Sequence, residues 1–101
     1  MLAEFSITPI GKGVSVSAYV ARSMDIIDKS GLPYKAGPMG TCVEGEWDEV
    51  MALMKKCLDA IMADCERASV SIKIDYRQGK TDALTGKLKS VEEKLNREIK
   101  K

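Results

Sequence analysis

The 101-residue sequence predicts a single α+β domain, residues 1–101, in which helices cover one face of an antiparallel sheet. Three observations predict this class. Segments near both ends of the chain alternate apolar and polar residues, as half-buried strands do. Segments between them repeat apolar residues every three or four positions, as amphipathic helices do. A cluster of glycine and proline around residues 37–45 indicates a hairpin turn.

The first strand is predicted over Leu2–Thr8, because every second residue is apolar. Pro9 ends it, and a glycine-containing loop leads into the first helix. Ser15 or Ser17 can cap that helix by accepting a hydrogen bond from a backbone N–H of its first turn. Apolar residues then recur at helical spacing until Gly31, where the helix is predicted to end.

Two short strands are predicted around a turn at Gly37–Gly40, over Leu32–Pro38 and Gly40–Glu46. Proline cannot donate a ladder hydrogen bond, so the first of these strands is expected at or near an edge of the sheet. A long helix is predicted from Glu46 or Trp47 to about Arg67. Its apolar stripe consists of Trp47, Val50, Met51, Met54, Leu58, Ile61, Met62 and Cys65.

Residues Ser69–Arg77 alternate again and are predicted to form the last strand, followed by a helix that Thr81 or Asp82 caps. This order of elements is that of a ferredoxin-like βαββαβ sandwich with an additional C-terminal helix. We expect its first and last strands to be central and parallel. The polar sheet face away from the helices is expected to serve as an interface between subunits.

The charge balance excludes several classes of partner. Net charge is +1, from 16 basic and 15 acidic residues, which indicates neither a nucleic-acid nor a membrane partner. Aromatic residues make up 5% of the chain, too few for the base-stacking sheet of an RNA-recognition domain. No apolar run is long enough to span a bilayer, and the odd number of cysteines suits a reducing compartment. A cytoplasmic location is therefore expected.

The absence of histidine restricts the chemistry of the chain. It removes the usual general base, the usual catalytic triads and the usual zinc ligand. Cys42, Cys57 and Cys65 are interpreted as small buried hydrophobic residues. No catalytic residue and no metal site is predicted, and an enzyme that uses carboxylate or cysteine chemistry is the least favoured alternative.

Two stretches are candidates for ligand binding on their residues alone. The hairpin places Thr41 and Glu44 beside Tyr34, although two residues three apart in a regular strand face opposite sides. The Gly-Lys-Gly loop at residues 11–13 precedes a helix, so it either binds an anion or is a flexible connection.

The motifs Pro-x-Gly-x-Gly-x-Ser-x-Ser at 9–17 and Gly-Thr-x-x-Glu-Gly at 40–45 resemble those of the small thiamine-binding protein family. The resemblance extends over essentially the whole chain and is weak in the last helix. It implies ferredoxin-like subunits that assemble as homodimers or homotetramers and bind thiamine, chiefly through the pyrimidine ring, without established catalysis. The ligand-binding residues that the resemblance implies are Ser15, Ser17, Tyr34, Met39, Gly40, Thr41 and Glu44.

The function expected from the resemblance is non-catalytic binding of thiamine or its hydroxymethylpyrimidine moiety, for transport, buffering or sensing, with no cofactor. An aminopyrimidine suits a carboxylate acceptor together with hydroxyl or backbone donors, and the cationic thiazolium favours a nearby negative charge such as Glu44. The alternative is an oligomeric regulatory or scaffold module that binds another metabolite or an anion, for which the Gly-Lys-Gly loop, Lys73 and Arg77 are the motive.

Overall fold

A computed structural model of the protein describes residues 1–11, 17–78 and 83–99. Four strands form one antiparallel sheet in the order β2-β3-β1-β4. The elements in chain order are β1 (Leu2–Pro9), α1 (Ser17–Lys29), β2 (Tyr34–Ala36), β3 (Thr41–Glu44), α2 (Trp47–Met62), β4 (Ala68–Asp75) and α3 (Ala83–Leu95). The ferredoxin-like βαββαβ order with a C-terminal helix is confirmed.

One part of the predicted topology is wrong. The first and last strands are neither both central nor parallel: β1 and β3 are central, while β4 lies at an edge and runs antiparallel to β1. The reason is that the two strand–helix–strand units interleave. Each crossover leaves room for one strand of the other unit, so β3 lies between β1 and β2. The edge position expected for the first hairpin strand is confirmed, because β2 pairs only with β3.

The two ladders of β1 differ in length. Against β4, the pairing covers all eight residues of β1. Against β3, which has four residues, it covers only Leu2–Phe5 and ends with Phe5 opposite Thr41. The second half of β1 therefore extends beyond the end of β3.

The core lies between the sheet and the paired helices α1 and α2, and its members are at most 4% exposed. It consists of Ala3, Phe5, Ile27, Val43, Val50, Leu53 and Cys57. The predicted stripe of the long helix is partly wrong: Trp47 is 49% and Met62 37% exposed, whereas Leu53 and Cys57, which it omits, are buried. Apolar residues occur on more than one side of α2, so the sequence alone does not reveal which row of apolar side chains faces the sheet.

The helix α2 ends at Met62, earlier than the predicted end near Arg67. The Arg67 carbonyl accepts a hydrogen bond of 2.8 Å from the Ile10 N–H, and the Cys65 thiol donates to the same oxygen at 3.0 Å. The backbone of Arg67 thus continues the β1–β4 ladder and is not available to the helix. The predicted burial of Cys57 and Cys65 is confirmed, whereas that of Cys42 is wrong: Cys42 is only partly buried, because its position in β3 faces away from the helices.

A polar contact joins α1 to the C-terminal end of α2. The Arg22 guanidinium donates to the Ala60 carbonyl at 2.8 Å and to the Asp64 carboxylate at 3.1 Å, and it lies 5.0 Å from the centre of the Tyr19 ring. The last four carbonyls of a helix lack partners within the helix. Arg22 therefore caps α2 while fixing the middle of α1 beside it. None of the described helices combines the length and apolar character needed to cross a membrane.

We expect Ile27→Ala to lower the free energy of unfolding by about 2–5 kcal/mol, because Ile27 is 1% exposed and its removal leaves a cavity between α1 and the sheet. Urea denaturation followed by the fluorescence of Trp47 measures this value. The same substitution at Ile10, which is 42% exposed, serves as the matched control and should change the value by no more than about 0.5 kcal/mol. Equal losses at both positions would contradict the assignment of Ile27 to the core.

Candidate functional site

A cavity of about 350 Å³ lies beside the part of β1 that has no strand partner on the β3 side. We call it the hairpin cavity, because the turn between β2 and β3 forms one wall; the second half of β1 and one face of α1 form the others. Its size is within the range of small-molecule sites in proteins. Its polar lining consists of Ser6, Thr8, Ser23 and Thr41, and its apolar side chains are Phe5, Ile7, Val20, Met24, Ile27, Pro38 and Met39.

The hairpin cavity exists because the hairpin turns back before it reaches the end of β1. The predicted turn is confirmed: the Gly37 N–H donates to the Gly40 carbonyl at 2.8 Å. A Cβ on Gly37 would lie 2.9 Å from the Gly40 oxygen, and a Cβ on Gly40 would lie 3.2 Å from the Phe5 oxygen. Glycine at both positions therefore lets the turn close tightly and approach β1, which brings the wall of the cavity into place.

The lining suits an uncharged ring with polar edges. Its polar side chains are hydroxyls, which both donate and accept hydrogen bonds, and none of the described lining residues is ionisable. Thr41 is 8% exposed, and its hydroxyl donates to the Met24 sulfur at 3.6 Å. Methionine sulfur is polarisable and packs well against flat rings. The cavity thus combines soft apolar walls with hydroxyl groups at its margin.

Three of the residues predicted for ligand binding line the hairpin cavity: Met39, Gly40 and Thr41. Ser17 is the exposed first residue of α1 and is not among the lining residues. Ser15, together with Lys12 and Gly13 of the possible anion-binding loop, lies outside the described residues.

Tyr34 and Glu44 are placed elsewhere. The Tyr34 hydroxyl donates to the Asp28 carboxylate at 2.8 Å and so joins β2 to the end of α1; this hydrogen bond raises the pKa of Tyr34. The strand β3 is regular, with buried Thr41 and Val43 alternating with Cys42 and Glu44. Thr41 therefore faces the helices and Glu44 faces the opposite side. For this reason Thr41 lines the hairpin cavity and Glu44 does not.

Four further residues line the cavity without having been predicted from the sequence: Ser6, Thr8, Ser23 and Met24. A signal existed for α1, because Val20, Ser23, Met24 and Ile27 follow the spacing of a single helix face. No such signal existed for Ser6 and Thr8. They line the cavity only because β3 ends at their level, and the register of β1 against β3 cannot be read from composition.

A shallower depression on the outer sheet face, away from α1 and α2, shares Phe5, Ser6 and Met39 with the hairpin cavity. The register places Glu4 between Cys42 of β3 and Lys73 of β4 on this face. The Cys42 thiol lies 3.8 Å from the Glu4 carboxylate. Burial raises the pKa of Cys42, and the negative charge of Glu4 raises it further. No group of three potential metal ligands occurs among the described residues.

A family model described as thiamine-binding protein matches residues 3–92. The chain belongs to the thiamine-binding protein family. Within this family it is similar to a UPF0045 protein of Mycobacterium bovis, with 41% identity over 98 residues and 96% of each chain covered. It is also similar to the UPF0045 protein YqgV of Bacillus subtilis, with 33% identity over 100 residues, 93% of this chain and 96% of the relative.

Solved structures of related proteins share the fold of this family member. The hypothetical protein MJ1052 of Methanocaldococcus jannaschii superimposes with a TM-score of 0.83 at 38% identity, covering 91% of this chain and 95% of its own. A putative thiamine biosynthesis/salvage protein of Thermotoga maritima superimposes with a TM-score of 0.73 over 94% of both chains. At 24% identity, the second comparison supports the fold alone.

We expect Glu4→Gln to accelerate the alkylation of Cys42 by iodoacetamide between pH 7 and 9. The thiolate is the reactive form, and removal of the Glu4 charge lowers the pKa of Cys42, so more thiolate is present at each pH. Peptide mass spectrometry of timed reactions measures the rate at Cys42 separately from the buried Cys57 and Cys65.

Lys35→Gln is the matched control for this measurement. The positive charge of Lys35 lowers the pKa of Cys42, so its removal should slow alkylation and move the pH profile upward. Shifts in the same direction for both variants would contradict this electrostatic arrangement on the outer face.

Proposed function

We propose that the protein binds thiamine or its hydroxymethylpyrimidine moiety in the hairpin cavity, without catalysing a reaction on it. The observation that carries this proposal is the hairpin cavity itself, which a member of the thiamine-binding protein family builds from hydroxyl groups and apolar walls. Such a protein serves transport, buffering or sensing of its ligand.

The chemistry of the lining supports an aminopyrimidine ligand. The ring offers an amino group as donor and ring nitrogens as acceptors, and hydroxyls such as those of Ser23 and Thr41 satisfy either kind. The flat face of the ring packs against the side chains of Met24 and Met39. General acid–base catalysis requires an ionisable group within hydrogen-bond reach, and the described lining offers none.

The carboxylate best placed for a cationic thiazolium is that of Glu4, and we propose it in this role instead of Glu44. The side chain of Glu4 borders Gly40: its Cγ lies 3.3 Å from the position that a Cβ on Gly40 would take. Glu4 also lines the outer depression, which shares Phe5, Ser6 and Met39 with the hairpin cavity. A ligand whose pyrimidine occupies the cavity can direct its thiazolium past Met39 towards Glu4.

We further propose that the protein self-associates as a homodimer or homotetramer and works in the cytoplasm. Exposed apolar side chains support an assembly, notably Met39 at 88%, Tyr76 at 65%, and Val91 and Leu95 of α3 at 44% and 47%. Burial of such side chains against another subunit is favourable. The free thiols of Cys42, Cys57 and Cys65 fit a reducing compartment.

Calorimetric titration with thiamine and with 4-amino-5-hydroxymethyl-2-methylpyrimidine tests the proposed binding. We expect both to bind, and we expect Thr41→Val to weaken binding about three- to tenfold, because one hydroxyl hydrogen bond to the ligand contributes about 0.5–1.5 kcal/mol. Valine keeps the shape of threonine, and the free energy of unfolding of each variant reports whether the fold is retained.

Glu44→Gln is the matched control, because Glu44 lies in the same strand but faces away from the hairpin cavity. We expect it to leave the affinity unchanged within about twofold, whereas Glu4→Gln should weaken thiamine more than the uncharged pyrimidine. Loss of binding in Glu44→Gln with normal binding in Thr41→Val would place the site on the outer face. Binding of inorganic phosphate without any binding of thiamine would favour the alternative, a module that recognises anions.

Light scattering coupled to size-exclusion chromatography tests the proposed assembly. We expect a mass of two or four times 11.1 kDa at micromolar concentration. Leu95→Glu, on an exposed apolar position of α3, should shift the mass downward if that helix takes part in the interface. A monomer for the unmodified protein at every concentration tested would refute self-association.

A further inference from the structure

The hydrogen bonds at the N-terminal end of β1 reveal which of its residues face β3. The Met1 amino group donates to the Gly45 carbonyl at 2.7 Å, and the Gly45 N–H donates to the Met1 carbonyl at 3.1 Å. Residues that exchange two such bonds recur at every second position of an antiparallel ladder. The main-chain groups of Ala3 and Phe5 therefore also point towards β3.

The opposite end of β1 independently shows the same alternation of main-chain groups between β3 and β4. The Ile10 N–H donates to the Arg67 carbonyl at 2.8 Å, so even-numbered residues of β1 point their main-chain groups towards β4. The position of Gly40 agrees as well, since a Cβ on it would lie 3.2 Å from the Phe5 carbonyl oxygen. The main-chain N–H and C=O groups of the odd-numbered residues of β1 thus point towards the hairpin along the whole strand.

Ile7 is the next odd-numbered residue, and the β3 ladder has ended before it. In register it would pair with Met39, but Met39 belongs to the turn and is 88% exposed. The Gly40 carbonyl is taken by the Gly37 N–H. Among the described residues, no turn or loop residue forms a hydrogen bond with the main-chain N–H or C=O of Ile7. Both groups point towards the hairpin turn, where Ile7 lines the hairpin cavity.

We infer that the main chain of Ile7 recognises the aminopyrimidine, its N–H donating to a ring nitrogen and its C=O accepting from the adjacent amino group. This inference rests on the proposed function. A donor and an acceptor on one residue, side by side along a strand, match a ring nitrogen beside an amino group in the same way as they match a neighbouring strand. The ligand would then continue the interrupted ladder and pair main-chain groups for which the described turn and loop residues provide no partner.

With this arrangement, the positions of donors and acceptors on the ligand decide whether it can pair with the main chain of Ile7. Replacing the amino group by an oxo group converts the ring nitrogen to a donor and the exocyclic atom to an acceptor, so both bonds to Ile7 become mismatched. A site that pairs its ligand through buried polar groups discriminates strongly against such an analogue. We expect the 4-oxo analogue of the pyrimidine to bind at least tenfold more weakly than the 4-amino compound.

Amide hydrogen exchange of the uniformly ¹⁵N-labelled protein, followed by NMR, tests the inference directly. Without ligand, Ser6 and Thr8, whose amides are bonded to β4, should exchange slowly and Ile7 should exchange quickly. Saturation with the 4-amino compound should slow exchange at Ile7 at least tenfold more than at Ser6 and Thr8. The 4-oxo analogue at the same concentration should leave Ile7 exchanging quickly.

The outcomes separate this inference from the proposed function. Calorimetric binding of the 4-amino compound without added protection at Ile7, or with equal affinity for the 4-oxo analogue, would overturn recognition by Ile7 and leave the proposed function standing. An Ile7 amide that exchanges as slowly as Ser6 in the free protein would overturn it as well. Absence of any binding would overturn both.

Discussion

The unequal ladders of β1 are the constraint on which the rest of the structure depends. One edge of β1 is paired with β4 along its full length, whereas the other edge is paired with β3 only as far as Phe5. The long ladder holds the second half of β1 extended, and the short one leaves a gap beside it. The turn at Gly37–Gly40 and the face of α1 enclose that gap, and the hairpin cavity results.

The wall of the cavity that α1 contributes is held in place by α2. Ile27 packs α1 into the core, and Arg22, five residues before it, donates to the Ala60 carbonyl and to Asp64. Ion pairs as exposed as this one contribute little on their own. The contact with Ala60 adds the capping of α2, so the position of Ser23 and Met24 depends on how the two helices are paired as well as on the sheet.

Alternation and helical spacing were sufficient to predict the element order and the inward side of β1. Proline and glycine were sufficient to predict the edge position of β2 and the turn after it. Each of these features depends on local properties of the chain. The pairing of β4 with β1 and the burial of Leu53 in place of Trp47 depend on packing between distant segments. The same distinction holds at the site. Met39, Gly40 and Thr41 lie in a motif visible in the sequence, whereas Ser6 and Thr8 line the cavity only through the register of two strands.

The described lining of the hairpin cavity comes entirely from the first 41 residues, yet those residues cannot shape it alone. The strand β4, which keeps the second half of β1 extended, is Ala68–Asp75, and a chain made from its N-terminus completes this strand after the lining residues. The residues that line the hairpin cavity are therefore synthesised early, whereas the strand that pairs with β1 is synthesised late. A chain that has formed the hairpin cavity has therefore already paired β4, in its C-terminal half, with β1.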